Sequence, residues 1–371
     1  MSGGELVWHT DWAQARVEAQ AKHRLVFALF ACARPSALSD QLLHPTDSDL
    51  VRLLQNRFVP LRFSSLKHVD LNLFRFDYDL ALAGLVMMPQ GDILSRWGGE
   101  GASVRQLVNL LGRVQERHLA EPHRSAPQEL TQKYPRYASQ KPASQSCFHC
   151  HYAHDAEILE QAQRGNFTKA MLFRYPPVSV LGFTLDPTSG NRVTRVVARS
   201  IAARAGLSLG DLVISTNGMP TYTEADIRFS LDRLTDMGSA VVLLVERGKK
   251  THTLNLTPPS GWRVYDISWR PSQGAIPPIL GFWEEPLPGS RLALRVSILF
   301  PGEKWKASQG ELQLGDVIVA VDGKTLPAMS AQQFHSWFRL NKTVGESALF
   351  TVLREGKRKE IRVPCLDLRL D

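Results

Sequence analysis

The stretch Gly206-Leu-Ser-Leu-Gly-Asp-Leu-Val-Ile-Ser-Thr-Asn-Gly218 recurs as Glu311-Leu-Gln-Leu-Gly-Asp-Val-Ile-Val-Ala-Val-Asp-Gly323. A repeat of this kind constrains the fold strongly, because both copies must make the same supersecondary unit. Each copy runs from Gly-Asp through a buried-strand pattern to Asn-Gly or Asp-Gly, the residues a tight hairpin turn requires. A helical pattern follows in each (Thr223 to Leu234; Ser330 to Leu340), then a strand hairpin around Arg247-Gly248 or Glu355-Gly356. Each copy is also preceded by an apolar-Gly-apolar element, Leu181-Gly182-Phe183 and Leu280-Gly281-Phe282.

This order resembles the bacterial PDZ domains appended to periplasmic serine proteases, over about residues 175–258 and 270–366. The resemblance implies a loop whose backbone N–H groups receive a peptide's C-terminal carboxylate, with the peptide adding as a strand to a sheet edge. Glycine at 182 and 281 is expected because a side chain would block the carboxylate. Ile227 and Leu231, one helical turn apart, are expected to line an apolar pocket beside the first loop. In the second copy Trp283-Glu284-Glu285 follows the loop and places acid near the carboxylate site, so the first copy is expected to be the better binder. Neither Gly-x-Ser-x-Gly nor another nucleophile turn occurs, and a protease is not expected.

Cys147-Phe148-His149-Cys150-His151 has the spacing of c-type haem attachment. Two cysteines three apart meet the two vinyl groups of one porphyrin edge, and the following histidine falls beneath the iron as axial ligand. Haem c held by Cys147, Cys150 and His151 is the expected cofactor. Two alternatives stand beside it: a zinc site drawing on His151, His154, His149 or His123, and a local redox disulfide. Met171, His118, His123, Met87 and Met88 are candidates for a distal ligand.

Upstream, Leu25-Val-Phe-Ala-Leu-Phe-Ala31 reads as a central strand buried on both faces. Residues 10–22 read as a helix with Trp12, Ala15, Val17 and Ala19 on its apolar side, and a second helix runs from Asp47 to about Asn56. Phe58 to Phe63 is a strand, and Leu82 to Met88 and Ile93 to Trp97 form a hairpin across Pro89-Gln-Gly-Asp92. A helix over Ser103 to His118 closes the unit. Helix, strand, helix, strand, hairpin, helix resembles the thioredoxin fold over about the first 120 residues. The redox Cys-x-x-Cys of that family is absent: Pro35-Ser-Ala-Leu38 stands in its place and Cys32 is alone, so a redox-inactive domain is expected.

The chain therefore reads as multidomain: an α/β thioredoxin-like sandwich (1–120), a linker and haem-attachment segment (121–174), and two mainly-β PDZ-like domains (175–258 and 259–371). Its 371 residues, 43% apolar and 22% charged, suit several globular domains. Basic residues are dispersed despite a net charge of +8, which argues against nucleic acid as a partner, and no apolar run is long enough for a transmembrane helix. Peptide or protein C-termini and a redox partner protein are the expected partners. The motif places the protein outside the cytoplasm, although Met1-Ser-Gly-Gly-Glu5 lacks the marks of a signal peptide, so a trimmed chain is expected.

Overall fold

The computed structural model describes residues 6–31, 36–66, 69–120, 150–234, 239–286 and 294–368. The linker from Glu121 to Ser146, together with Cys147, Phe148, His149, Cys32 and Pro35, lies outside the described residues. The chain divides into two compact units. The first holds everything to Glu160 together with Phe173–Tyr265, and the second holds Gln161–Leu172 with Asp266–Asp371.

The first unit begins with α1 (Trp12–Lys22), β1 (Leu25–Ala31), α2 (Ala37–Leu43), α3 (Ser48–Asn56), β2 (Phe58–Phe63), β3 (Leu82–Met87), β4 (Ile93–Gly98) and α4 (Val104–Ala120). Its sheet has the order β2-β1-β3-β4, with β2 parallel to β1 and β3 antiparallel to both its neighbours. The unbroken apolar run of β1 has a physical reason. Val26, Ala28 and Phe30 face one core with Ala15 and Ala19 of α1, while Leu25, Phe27 and Leu29 face another with Leu50, Leu54, Leu107 and Leu110. Both faces are covered, so neither parity of the strand can be polar. Val17 is a correction to the expected apolar side of α1: it is 64% exposed, because the sheet-facing line is Ala15 and Ala19, one turn apart.

The unit continues with α5 (Tyr152–Gln163), β5 (Phe183–Leu185), β6 (Val193–Val196), α6 (Ile201–Arg204), β7 (Leu212–Thr216), β8 (Met219–Pro220), α7 (Glu224–Asp232), β9 (Val241–Arg247) and β10 (Lys250–Leu256). Sheet β10-β9-β7-β8 and the pair β5-β6 enclose a core that includes Leu181, Phe183, Ile227 and Leu231. Helix α5 starts directly after His151, whose carbonyl accepts from Asp155 N–H at 3.1 Å.

In the second unit β11 (Phe282–Pro286), β12 (Leu294–Leu299), α8 (Glu303–Ala307), β13 (Val317–Val321), β14 (Lys324–Thr325), α9 (Ala331–Asn341), β15 (Ser347–Arg354) and β16 (Lys357–Pro364) follow the repeat pattern. The sheet runs β11-β12-β13-β15-β16, with β14 on β13, so β11 is an end strand. Lys169 Nζ donates to the carbonyls of Leu340 and Lys342, both at 2.8 Å, and ties the segment around it to the end of α9.

Both repeats share a device the turn signals did not reveal. Asp211 of the first Gly-Asp is bound by Arg247 Nε at 2.7 Å, and Asp316 of the second by Arg354 Nε at 2.7 Å. Each arginine ends the strand that leads into the last hairpin, and each aspartate is fully or almost fully buried. The signal was present: an arginine precedes the hairpin glycine in both copies.

Candidate functional site: the haem-type motif and the two grooves

The described half of the motif sits against the first sheet. Cys150 is 4% exposed and shares the core that holds Phe30, Phe74, Phe76 and Tyr78. His151 is partly exposed, and its Nδ1 lies 3.4 Å from Asp155 Oδ2 one turn on. A cysteine sulfur and an imidazole are the donor types of a c-type haem site, and the neighbouring wall is aromatic. Cys147 lies outside the described residues.

His154 is employed elsewhere. It is buried, with Nδ1 3.2 Å from Glu157 Oε2 and Nε2 3.5 Å from Asp77 Oδ1. Burial alone would lower its pKa, but Asp77 and Glu157 outweigh it and hold the ring at about 9. Asp77, Asp79 and His154 bring three donor atoms within 4.8 Å, a spacing that could hold a cation. Glu157 reaches on to Arg174 Nη1 at 2.7 Å, and Arg174 clasps Asp232 of α7 at 2.9–3.1 Å. This line of charges connects the strand-leading loop of the first domain, the helix carrying the motif and the helix of the first repeat. Of the distal-ligand candidates, Met87 is fully buried in the sheet core and Met171 is 37% exposed.

Leu181, Phe183, Ile227 and Leu231 are brought together, all fully buried in the core of the first repeat. Gly182 has φ +90°, and a Cβ there would stand 2.1 Å from Ser200 Cβ. Its carbonyl accepts from Val197 N–H at 2.8 Å, and its N–H donates to Ser179 O at 3.0 Å. Glycine is thus required by the chain's own crossing at the start of α6, a reason beyond peptide access. In the second repeat Leu280 and Phe282 are equally interior, and a Cβ on Gly281 would stand 2.3 Å from Trp305 O of α8. Gly182→Ala is expected to destabilise the first repeat by about 2 kcal/mol, from left-handed strain and overpacking together. A denaturation midpoint shift in the full chain measures it, and an unchanged midpoint would refute it.

The helices beside the two loops differ sharply. In α7 every charged side chain is engaged: Glu224 accepts from Val178 N–H at 3.5 Å, Arg228 donates to Tyr175 O at 3.0 Å, and Asp232 holds Arg174 and Tyr175 N–H. Asp226, 2% exposed, accepts from Ser95 Oγ and Arg96 N–H of β4, both at 2.7 Å, and from Tyr222 and Thr223 N–H. Arg96 lies 3.3 Å over the Phe229 ring, and Arg113 of α4 donates to Asn191, Ser189 and Tyr222. The first repeat is therefore docked through α7 on the first sheet.

In α9 the picture reverses, and the expected charge argument changes with it. Glu284 does not face a carboxylate site: it is fully buried and bound to His335 Nε2 at 3.1 Å, with Trp283 stacked on the same imidazole at 4.7 Å. Glu285 is paired with Arg295. The β-bulge between Trp283 and Glu284 turns the acid inward. Arg339, one turn beyond His335, is 8% exposed, and burial pushes its pKa down to about 10 against the pull of Glu284.

Comparison with known proteins bears on the first repeat. Residues 192–247 match the model of the PDZ domain family. Over 89 residues, 23% of this chain, the sequence is 32% identical to a probable periplasmic serine endoprotease DegP-like of Pseudomonas savastanoi pv. phaseolicola, of which it covers 19%. A protein of the same description from Pseudomonas putida is 34% identical over 68 residues, 18% of this chain and 14% of that one. The chain thus spans only a small part of the length of these relatives. Among solved structures, the HtrA3 PDZ domain bound to a phage-derived ligand is 25% identical over 19% of this chain and 65% of its own, with a TM-score of 0.17. An HtrA-type protease with a decapeptide is 15% identical over 31% and 36%, with a TM-score of 0.22. The chain carries a PDZ domain of the HtrA/DegP type. Among the described residues no helix is long and apolar enough to cross a membrane.

Proposed function

We propose that this chain is an extracytoplasmic docking protein that presents a c-type haem beside tandem PDZ-type domains. The PDZ-type repeat carries the docking part: an end strand beside a helix is the arrangement to which an extended peptide adds. The order β2-β1-β3-β4 supports a thioredoxin-like reading of the first domain, serving as a platform rather than a thiol exchanger. The periplasmic relatives support an extracytoplasmic site of action.

The haem part rests on Cys150 and His151. Cys147 and Cys150 would carry the porphyrin edge, and His151, whose Nδ1 lies 3.4 Å from Asp155 Oδ2, would offer an imidazole nitrogen to the iron. Bound haem supplies one-electron transfer or the sensing of a small ligand. The chain's own residues exclude water from Cys150.

A second reading, a scaffold without haem in which Cys150 is structural, draws on that thiol's 4% exposure. One experiment separates the two. Expression with a secretion signal and a haem-attachment system should give a covalent haem stain and a Soret band surviving acid–acetone extraction. The double change Cys147→Ala/Cys150→Ala should abolish both. Staining of the variant equal to the parent refutes the haem assignment, and absence of stain in the parent leaves the scaffold.

A further inference from the structure

The first domain holds a cavity of about 750 Å³, and none of its described lining residues belongs to α5 or to either repeat. Its place follows from the sheet. Strands β1 and β2 run parallel with Phe30 opposite Phe63, so both release the chain on the same side, after Ala31 and Phe63. The segments that leave these two ends diverge, and the start of α1 and residues 69–74 wall the space between them. The volume is that of a pocket for a small molecule.

The floor of the cavity is aromatic. Phe74 is 2% exposed, and the half-buried rings of Trp12 and Phe63 pack edgewise on it, at 5.5 Å and 88° and at 5.1 Å and 67°. The rim is charged. Asp11, Arg62 and Asp70 are exposed, and they are the ionic groups of the described lining. Asp11 Oδ1 accepts from Gln14 N–H at 2.9 Å, and Asp70 Oδ1 accepts from Asn72 N–H at 2.9 Å. Among the described residues, the second oxygen of each carboxylate and the guanidinium of Arg62 have no partner.

These walls identify the ligand. A flat ring gains offset or edge contact with the aromatic floor. A primary ammonium would donate to the second oxygens of Asp11 and Asp70 and lie against the face of Trp12. A carboxylate would meet the guanidinium fork of Arg62. A simple anion would face two carboxylates, and a simple cation would face Arg62. A wholly apolar ligand would strip water from three charged groups and replace none of it.

We propose that this cavity binds a zwitterion with an aromatic body: a free aromatic amino acid, or a dipeptide that carries one. Asp11 and Asp70 take the ammonium, Arg62 takes the carboxylate, and Trp12, Phe63 and Phe74 take the ring. The site is independent of both the haem and the peptide-docking readings.

The test is calorimetric titration of the full chain with phenylalanine and with the dipeptide Phe-Ala. At least one should bind saturably. Tighter binding of phenylalanine identifies free amino acids as the source, and tighter binding of Phe-Ala identifies peptide fragments. Phenylethylamine lacks the carboxylate and phenylpropionate lacks the ammonium. Each should bind at least about tenfold more weakly, as loss of a charge-assisted hydrogen bond implies. Arg62→Gln should weaken the zwitterion by the same factor and leave phenylethylamine unchanged. Asp11→Asn/Asp70→Asn should weaken the zwitterion and spare phenylpropionate, with asparagine at 11 keeping the helix cap. All three positions are exposed, so the thermal midpoint should stay near that of the parent. Zwitterion affinity unchanged in both variants places the binding elsewhere and overturns the inference. Equal affinity for phenylalanine and either one-charge analogue overturns it as well, and so does the absence of saturable binding by both zwitterions.

Discussion

Replacing Asp226 with alanine is expected to cost about 3–5 kcal/mol of unfolding free energy, the usual consequence of removing one partner from a buried ionic group. The carboxylate is 2% exposed and receives four hydrogen bonds, two from β4 and two from the start of its own helix. Its removal strands those donors and leaves Arg96, 4.0 Å away and 6% exposed, without its countercharge. Burial raises the pKa of Asp226 and lowers that of Arg96 to about 10, so each charge resists its setting and depends on the other. The double change Asp226→Ala/Arg96→Met should therefore cost less than the sum of its parts. Urea denaturation monitored by circular dichroism measures both. A loss under about 1 kcal/mol for Asp226→Ala would mean that the joint is solvated rather than buried.

The second large effect is on pH dependence. The folded pKa of His154 is about 9 against an ordinary 6.5, because Asp77 and Glu157, with Asp79 further off, overcome the burial that would lower it. Arg174 acts in the opposite sense, and the Tyr78 N–H, 3.2 Å from Nε2, favours the neutral ring. Folding therefore takes up a proton between these two pKa values. The stabilisation is complete below pH about 6.5 and is lost as pH rises through about 9, amounting to about 3 kcal/mol. Glu157, held down to about 2 by Arg174 and His154 against its burial, stays ionised throughout that window. Denaturation midpoints at pH 6 and pH 9.5 should fall in the parent and move far less in His154→Gln. Equal slopes in the two proteins would show that the ring is neutral in the fold.

What could be read from the sequence was what repeats or alternates. The span of β1, the hairpin across Pro89-Gln-Gly-Asp92 and the turns at Asn217-Gly218 and Asp322-Gly323 follow from local rules, because each answers to neighbours a few residues away. The residues overlooked or misjudged have partners distant in sequence. Asp226 looks like an ordinary N-terminal helix residue until Ser95 and Arg96 are beside it. Glu284 looks like surface charge until a bulge turns it toward His335. Val17 shows a smaller failure: it is apolar and within the helix, but half a turn away from the alanines that meet the sheet. The spacing at 147–151 gives no information on packing, so the burial of Cys150 was not legible.

The joint between Asp226 and Ser95 closes over 131 residues of chain. Contacts so far apart in sequence are made only after the entropy of a long loop has been surrendered, which local hairpins and helices do not demand. Each sheet can assemble from nearer strands first, so this contact is expected late in folding, after its transition state. An interaction formed that late leaves the folding rate almost untouched and slows unfolding. The two hydrogen bonds that Asp226 receives from β4 are thus expected to act as a latch on the lifetime of the docked pair.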